Sequence, residues 1–194
     1  LMYVTNMSWP SKEYLYVTYE TFPEGMIRKS TDRGRTFSDS VYLPNRKKEI
    51  NCSYCQRVMH IYMLDSINGI AAAMSYEIYT TNDGWKTFTH HKDAPGIGIT
   101  EVWMFSQKDF AYLSGGNNIA YFVRTFDGGI TWRKTIFEES RHVRKMFFIN
   151  DNTGYIVGHE DYGGPGDTKW DVIHKTTDGG KTWERVGLKE KHVD

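Results

Sequence analysis

The sequence predicts an all-β fold made of four consecutive repeats, and three observations support this. One short motif occurs four times, and its aspartates Asp32, Asp83, Asp127 and Asp178 are separated by 51, 44 and 51 residues. Each unit contains short segments rich in β-branched and aromatic residues, which favour strands. No segment shows the sustained 3.6-residue apolar period of a helix. A period of this size is typical of repeat proteins, in which each unit buries its apolar surface against its neighbours.

Each repeat predicts four strands in chain order. The expected strands are 2–5, 14–19, 26–30 and 36–43 in unit one, 58–64, 70–74, 78–81 and 87–90 in unit two, 100–106, 110–114, 120–125 and 131–136 in unit three, and 143–149, 154–158, 170–176 and 182–186 in unit four. Small residues such as Ala71 and Ala72 in the second strands permit close packing of one sheet on the next. Bulky residues such as Phe147 and Phe148 in the first strands supply core. The units cover residues 1–44, 45–93, 94–139 and 140–188 of a single domain, with a tail at 189–194.

The motif itself reads Ser/Thr-x-Asp-x-Gly-x-Thr-Phe/Trp, a pattern typical of a tight turn between strands. We expect the aspartate to accept backbone N–H groups one or two residues further on. The glycine supplies a positive φ without steric cost, and the closing aromatic folds back under the turn. In the second copy Trp85 stands where glycine is expected and Gly84 lies one position early. We therefore expect the second turn to have a different backbone conformation.

These motifs resemble the Asp-box, or bacterial neuraminidase repeat, over nearly the whole chain. In that family the box lies at the turn between the third and fourth strands of each β-propeller blade, at the periphery and away from the ligand. The resemblance implies a β-propeller of four-stranded antiparallel blades, with four blades in this chain. They form either a closed four-bladed ring, which we favour, or part of a larger ring. The residues assigned a structural role in the boxes are Asp32, Gly34, Thr36, Phe37, Asp83, Thr87, Phe88, Asp127, Gly129, Thr131, Trp132, Asp178, Gly180, Thr182 and Trp183.

Composition excludes several classes of partner. The 194 residues include 24 basic and 24 acidic ones, so net charge gives no reason to expect a nucleic acid or an anionic membrane as partner. No apolar run approaches the roughly 20 residues of a membrane-spanning helix, so we expect no membrane insertion. No signal peptide is recognisable, and since the chain begins at Leu1 we expect an upstream segment to have been removed or to belong elsewhere.

We expect no cofactor and no metal. Cys52 and Cys55 form a single C-x-x-C, which no second pair or suitably spaced histidines complete. The two thiols are structural, form a local disulfide or take part in redox or metal chemistry. The acidic loop 158–169 could hold calcium, but its spacing matches no defined calcium loop.

In a propeller with this strand order, ligands usually bind around the axis, on the face opposite the boxes. That face contains the links between blades and the loops that join second to third strands. The candidate ligand-binding residues there are Arg46, Arg57, His91, Glu101, His142, Arg144 and Asp161. Charges on loops are also commonly solvated without any ligand. No catalytic residue is assigned, because no Ser/His/Asp, Cys/His or phosphate-cradling pattern stands out.

Residues 146–158, followed by the box at 176–183, are most similar to repeats of photosystem II stability and assembly factors, and more distantly to sialidases and sortilin-type receptors. The resemblance implies a non-catalytic module that binds protein or carbohydrate, and it favours an extracytoplasmic location. The alternative is a sialidase-like glycoside hydrolase, which needs three arginines, a Tyr–Glu pair and an acid/base aspartate. The Arg-Ile-Pro motif that usually opens sialidases is absent. An incomplete ring would also expose blade faces to self-association.

Overall fold

Four antiparallel sheets make up this computed structural model, which describes residues 3–20, 25–38, 40–43, 58–73, 77–96, 98–116, 119–137, 142–160 and 170–187. Blade one contains β1 (Tyr3–Ser8), β2 (Leu15–Glu20), β3 (Gly25–Ser30) and β4 (Val41–Tyr42). Blade two contains β5 (Val58–Met63), β6 (Gly69–Ala73), β7 (Glu77–Thr81) and β8 (Thr89–His91). Blade three contains β9 (Ile99–Met104), β10 (Phe110–Gly116), β11 (Ile119–Thr125) and β12 (Arg133–Phe137). Blade four contains β13 (His142–Phe148), β14 (Gly154–Glu160), β15 (Trp170–Thr176) and β16 (Glu184–Val186).

Within every blade the strands pair in chain order, which confirms the predicted all-β class and the four-stranded antiparallel blades. The first strands of successive blades pack against one another, so β1, β5, β9 and β13 lie innermost. The described part of the chain has no helix long and apolar enough to cross a membrane.

Each box is held by its aspartate across four residues. In box three the Thr131 N–H donates to Asp127 Oδ1 at 2.9 Å and the Thr131 hydroxyl donates to Oδ2 at 2.6 Å. The Thr125 hydroxyl donates to Asp127 Oδ1 and accepts the Gly129 N–H. Boxes one, two and four repeat this set. The expectation of bonds one or two residues on is therefore wrong, because the box closes a wider loop than a simple Asx turn.

The same bonds explain why the fourth strands begin later than predicted. The box threonine, expected to open the strand, is held instead by the aspartate. Strands β8, β12 and β16 therefore begin two residues after it, at Thr89, Arg133 and Glu184, and β4 begins at Val41.

Box two has the same conformation as the others, so the expectation of a different turn is also wrong. Gly84 and Trp85 have φ values of 72° and 69°, close to the 77° and 88° of Gly128 and Gly129 in box three. A positive φ is unfavourable for a large side chain. Trp85 is only 1% exposed, however, and its indole packs into the core between blades one and two, with Nε1 3.1 Å from the sulfur of Met63. Burial of the large ring offsets the backbone strain.

The apolar cores lie between blades. One cluster joins blades one and two, a second joins blades two and three, and a third joins blades three and four. Their members include Tyr16, Ile27, Val58, Ile61 and Met63 in the first, Ile70, Ile78, Val102, Met104 and Phe110 in the second, and Leu113, Phe122, Val143, Met146 and Phe148 in the third. A blade therefore contributes one face of its sheet to each of its two neighbours.

Arg124 clamps the junction between blades three and four. Its guanidinium is almost fully buried and makes a two-point ion pair with Asp109, with both N–O distances 2.7 Å. It also donates to the carbonyl oxygens of Asp151 at 2.9 Å and Gly179 at 3.0 Å, and lies 3.8 Å from the ring centroid of Phe105. One side chain thus donates hydrogen bonds to backbone carbonyl oxygens in a turn and in a box of the next blade.

The four blades form an open arc. Packing between sheets joins blade one to two, two to three and three to four, whereas no strand of blade four packs extensively against blade one within the described residues. The described residues thus give no support for the favoured closed ring, and membership of a larger ring stays a prediction.

Replacement of Arg124 by alanine should destabilise the fold strongly, because it leaves Asp109 and two backbone carbonyls without their donor. We expect a loss of about 3 kcal/mol in the free energy of unfolding, measured by urea denaturation. Arg133→Ala is the matched control, since Arg133 pairs with Arg124 in register but is exposed. Equal stability of the two variants would show that the clamp does not hold the junction.

Acid should destabilise the blades through the box aspartates. Hydrogen bonds from the box threonine lower the pKa of Asp32, Asp83 and Asp127 to about 2, and at Asp178 similar bonds outweigh burial to give a pKa of about 2. Because the folded pKa values lie below the ordinary 3.8, this stabilisation is present above about pH 4 and is lost as the pH falls towards 2. A variant with all four changed to asparagine should be less stable at pH 7 and should show a flatter Tm against pH between 4 and 2.

Candidate functional site

A single groove at the centre of the arc collects side chains from all four inner strands. Its volume is about 460 Å³. Its lining includes Asn6 from β1, Tyr62 from β5, Glu101 and Trp103 from β9, and Lys145 from β13. No other part of the described fold brings all four blades together in this way, so we take the groove as the candidate site.

A β-bulge sets which side chains face the groove. The inner strands carry one extra residue each, at Thr5, Met59, Thr100 and Arg144, opposite an uninterrupted second strand. The residues directly after the bulge are Asn6, His60, Glu101 and Lys145, and they occupy equivalent positions in the four blades. A bulge re-aims the side chains beside it, and bulges are frequent near functional sites.

Three of these equivalent residues form a charge cluster. Lys145 Nζ lies 2.6 Å from Glu101 Oε2, and His60 Nδ1 lies 3.9 Å from Glu101 Oε1. Burial and the nearby Lys145 ammonium lower the pKa of His60 to about 4, so its ring is neutral at pH 7. His60 Nδ1 is buried without a hydrogen-bond partner. The cluster is therefore electrically balanced, with one positive and one negative group beside a neutral, buried imidazole.

An aromatic row runs beside the charge cluster, two residues further along the inner strands. The rings of Tyr62 and Trp103 stack with centroids 4.5 Å apart, and Phe147 meets Trp103 edge-on at 5.6 Å. Tyr62 and Trp103 are half-buried, whereas Phe147 is largely exposed. The groove thus combines hydrogen-bonding groups with an apolar surface, as small-molecule and peptide sites commonly do.

Of the residues predicted from the sequence, the structure places only Glu101 in this groove. Arg144 occupies the bulge itself, and its exposed side chain lines a hollow on the far face of blade four. His91 lies instead on the outermost strand of blade two, where its Nε2 is 2.9 Å from the Thr80 hydroxyl and its ring packs edge-on against Trp132 of blade three. His142 opens β13, but its side chain is outside the described part. Arg46, Arg57, Asp161, Cys52 and Cys55 also lie outside the described residues.

Sequence reasoning missed His60, Lys145, Tyr62 and Trp103. An alignment of the four inner strands with one another could have found them, because equivalent positions in the strands face the groove. The bulge shifts the register by one residue, so that Lys145 takes the groove position next to the expected Arg144.

The described residues offer little for the glycosidase alternative. Glu101 is the only carboxylate on the described inner strands, whereas glycoside hydrolysis requires a pair about 5–9.5 Å apart. A Tyr–Glu hydrogen bond does occur, from the Tyr79 hydroxyl to Glu77 Oε2 at 2.7 Å. Tyr79 and Glu77 are 0% and 5% exposed, however, so no substrate can reach them as they stand.

Sequence comparison agrees with the box geometry. The family described as BNR/Asp-box repeat matches residues 123–134 and 174–185, which contain boxes three and four. The comparison with curated protein sequences gives no match to this chain.

Solved structures similar to this chain include propellers of two kinds. One is described as YCF48 bound to D1 peptide, with a TM-score of 0.52 and 13% identity over 94% of this chain and 81% of that one. The GH74 enzyme of Niastella koreensis gives a TM-score of 0.60 at 14% identity and covers 94% of this chain. An ancestral GH74 enzyme gives 0.66 at 14% identity over 96%. This chain spans only 38% and 24% of those two enzymes, and at such identities the likeness shows the fold alone.

Removal of the Lys145 charge should raise the pKa of His60. Burial is the larger cause of its lowered value, so in Lys145→Met we expect the pKa to move above 4 but to stay below the ordinary 6.5. NMR titration of the His60 ring protons measures this. Lys134→Met on β12, whose ammonium lies over the ring of Tyr121, is the control and should leave the titration unchanged.

Proposed function

We propose that this Asp-box arc is a non-catalytic binding module that holds a peptide segment of a partner protein in the central groove. The observation that carries the proposal is the convergence of four inner strands on one groove with a polar cluster and an aromatic row side by side. The solved YCF48 structure with a bound peptide supports a peptide as the ligand of this kind of fold.

The polar cluster suits a peptide backbone. Asn6 lines the groove, and its side-chain amide can donate to a carbonyl and accept an N–H of a ligand. Lys145 keeps 63% of its side chain exposed although it is paired with Glu101, so its ammonium has donors left for a ligand carbonyl. These groups would fix the position of the segment without requiring a charged ligand.

The aromatic row suits an apolar side chain of the same segment. Tyr62 and Trp103 present a rigid surface whose burial costs little conformational entropy. Because the cluster beside them is electrically balanced, we expect binding to depend weakly on salt concentration. A ligand whose affinity falls strongly with salt concentration would instead indicate binding at a different, charged surface.

Selection of a random phage-displayed peptide library on the immobilised chain tests the proposal. Enriched peptides should bind in calorimetry, and Lys145→Glu should weaken them about tenfold, which corresponds to about 1.4 kcal/mol. Lys134→Glu is the matched control, because it reverses the same charge on an outer strand and should leave binding unchanged.

Two results would contradict peptide binding in the groove. One is the absence of any enriched peptide, and the other is a peptide whose affinity is the same for the Lys145 and Lys134 variants. A glycan array probed in parallel separates the carbohydrate alternative, since glycan binding without peptide enrichment would replace the proposal.

A further inference from the structure

The two ends of the arc carry apolar faces that the same chain buries elsewhere. Blade one exposes a start face of Val4, Met7 and Trp9, which are 54%, 59% and 54% exposed. Blade four exposes an end face of Tyr155, Val157, Ile173 and Lys175, in which Val157 and Ile173 are 42% and 40% exposed. A contiguous exposed apolar patch is a common mark of an interface.

The start face is a copy of the face that blades two, three and four each bury. The strand registers align Val4, Met7 and Trp9 of β1 with Val58, Ile61 and Met63 of β5. The same alignment reaches Ile99, Val102 and Met104 in β9 and Val143, Met146 and Phe148 in β13. Eight of these nine equivalents are at most 6% exposed and Ile99 is half-buried, because each packs on the preceding blade.

The end face is likewise a copy of the face that blade one presents to blade two. Tyr155 pairs with Lys175 across β14 and β15, as Tyr16 pairs with Lys29 across β2 and β3. Ile173 is equivalent to Ile27, which is 1% exposed.

At the junction between blades one and two, Tyr16 is an example of how such a face packs against the next blade. It is buried against blade two and donates its hydroxyl to the Ser66 carbonyl at 2.7 Å. The end face of blade four therefore repeats the tyrosine, isoleucine and lysine of a face whose occupant is known, and that occupant is a start face.

We propose that a second copy of this chain docks head to tail, with the start face of one copy on the end face of the other. A second copy supplies both missing halves at once, and the contact repeats the junction between blades one and two. A hollow of about 520 Å³ on blade four, lined by Val157 and Ile173, receives the incoming inner strand. The contact is heterologous, and two four-bladed arcs close into eight blades, within the range known for propellers.

Sedimentation equilibrium and light scattering on the whole chain test the proposal. We expect a concentration-dependent species of twice the 22.6 kDa chain mass. Met7→Lys on the start face and Ile173→Lys on the end face should each halve the mass at concentrations where the unchanged chain is dimeric. Ile130→Lys is the matched control, because Ile130 is 82% exposed at the tip of box three, where boxes two and four carry lysine.

Mixing the two variants gives the sharpest result. The Met7→Lys chain retains its end face and the Ile173→Lys chain retains its start face, so one intact interface can form between them. An equimolar mixture should recover dimer, whereas neither variant alone should. Circular dichroism on each variant establishes that the loss of mass is not a loss of fold.

Four outcomes would overturn the proposal. They are a monomer at all concentrations, a dimer insensitive to both lysine substitutions, failure of the mixture to recover dimer while both variants remain folded, and an unbroken series of larger oligomers. The third would show that one intact start face on one intact end face does not hold two copies together, and the fourth would indicate a head-to-tail contact that does not close.

Discussion

Each blade of this protein has two apolar faces and can bury them only against other blades. The three clusters that hold the arc together all lie between sheets, and none lies within a single blade. The inner strands supply the residues that enter the preceding blade, and the second and third strands supply the surface that receives them. The same packing repeats at each of the three junctions, and equivalent positions in different blades are therefore similarly buried.

The boxes contribute to this packing at the outer edge of the blades. Their polar bonds close the loop between the third and fourth strands and leave the left-handed central residues facing the preceding blade. A Cβ on Gly180 would lie 2.2 Å from the ring of Phe122, so the close approach of blade three requires glycine there. In box two Trp85 takes the position of Gly180, and its ring packs into the core between blades one and two instead. A Cβ on the neighbouring Gly84 would lie 3.0 Å from the Tyr16 hydroxyl of blade one. The boxes are therefore part of the junctions as well as turns within a blade.

The sequence was sufficient to predict the all-β class, the four blades and most strand positions, since the motif spacing sets them. It misplaced the start of the fourth strands because threonine alone does not reveal that the aspartate four residues earlier holds it. It identified Glu101 but not Lys145 or His60, because a single-residue bulge changes which side chain faces the groove. Arg124 stands directly before box three in the sequence, and only the packing of blade four over it shows its role. Whether the arc closed could not be predicted, because that depends on the angle between blades.

The open arc and the likeness of its end faces to the internal junctions can be tested together by cysteine trapping. The chain for this experiment carries Met7→Cys and Ile173→Cys, with Cys52 and Cys55 replaced by serine. Under oxidising conditions we expect a disulfide between two chains, seen as a species of twice the chain mass on a non-reducing gel. A disulfide within one chain would show instead that the four blades close on themselves, and the absence of any bond would show that the two faces do not meet.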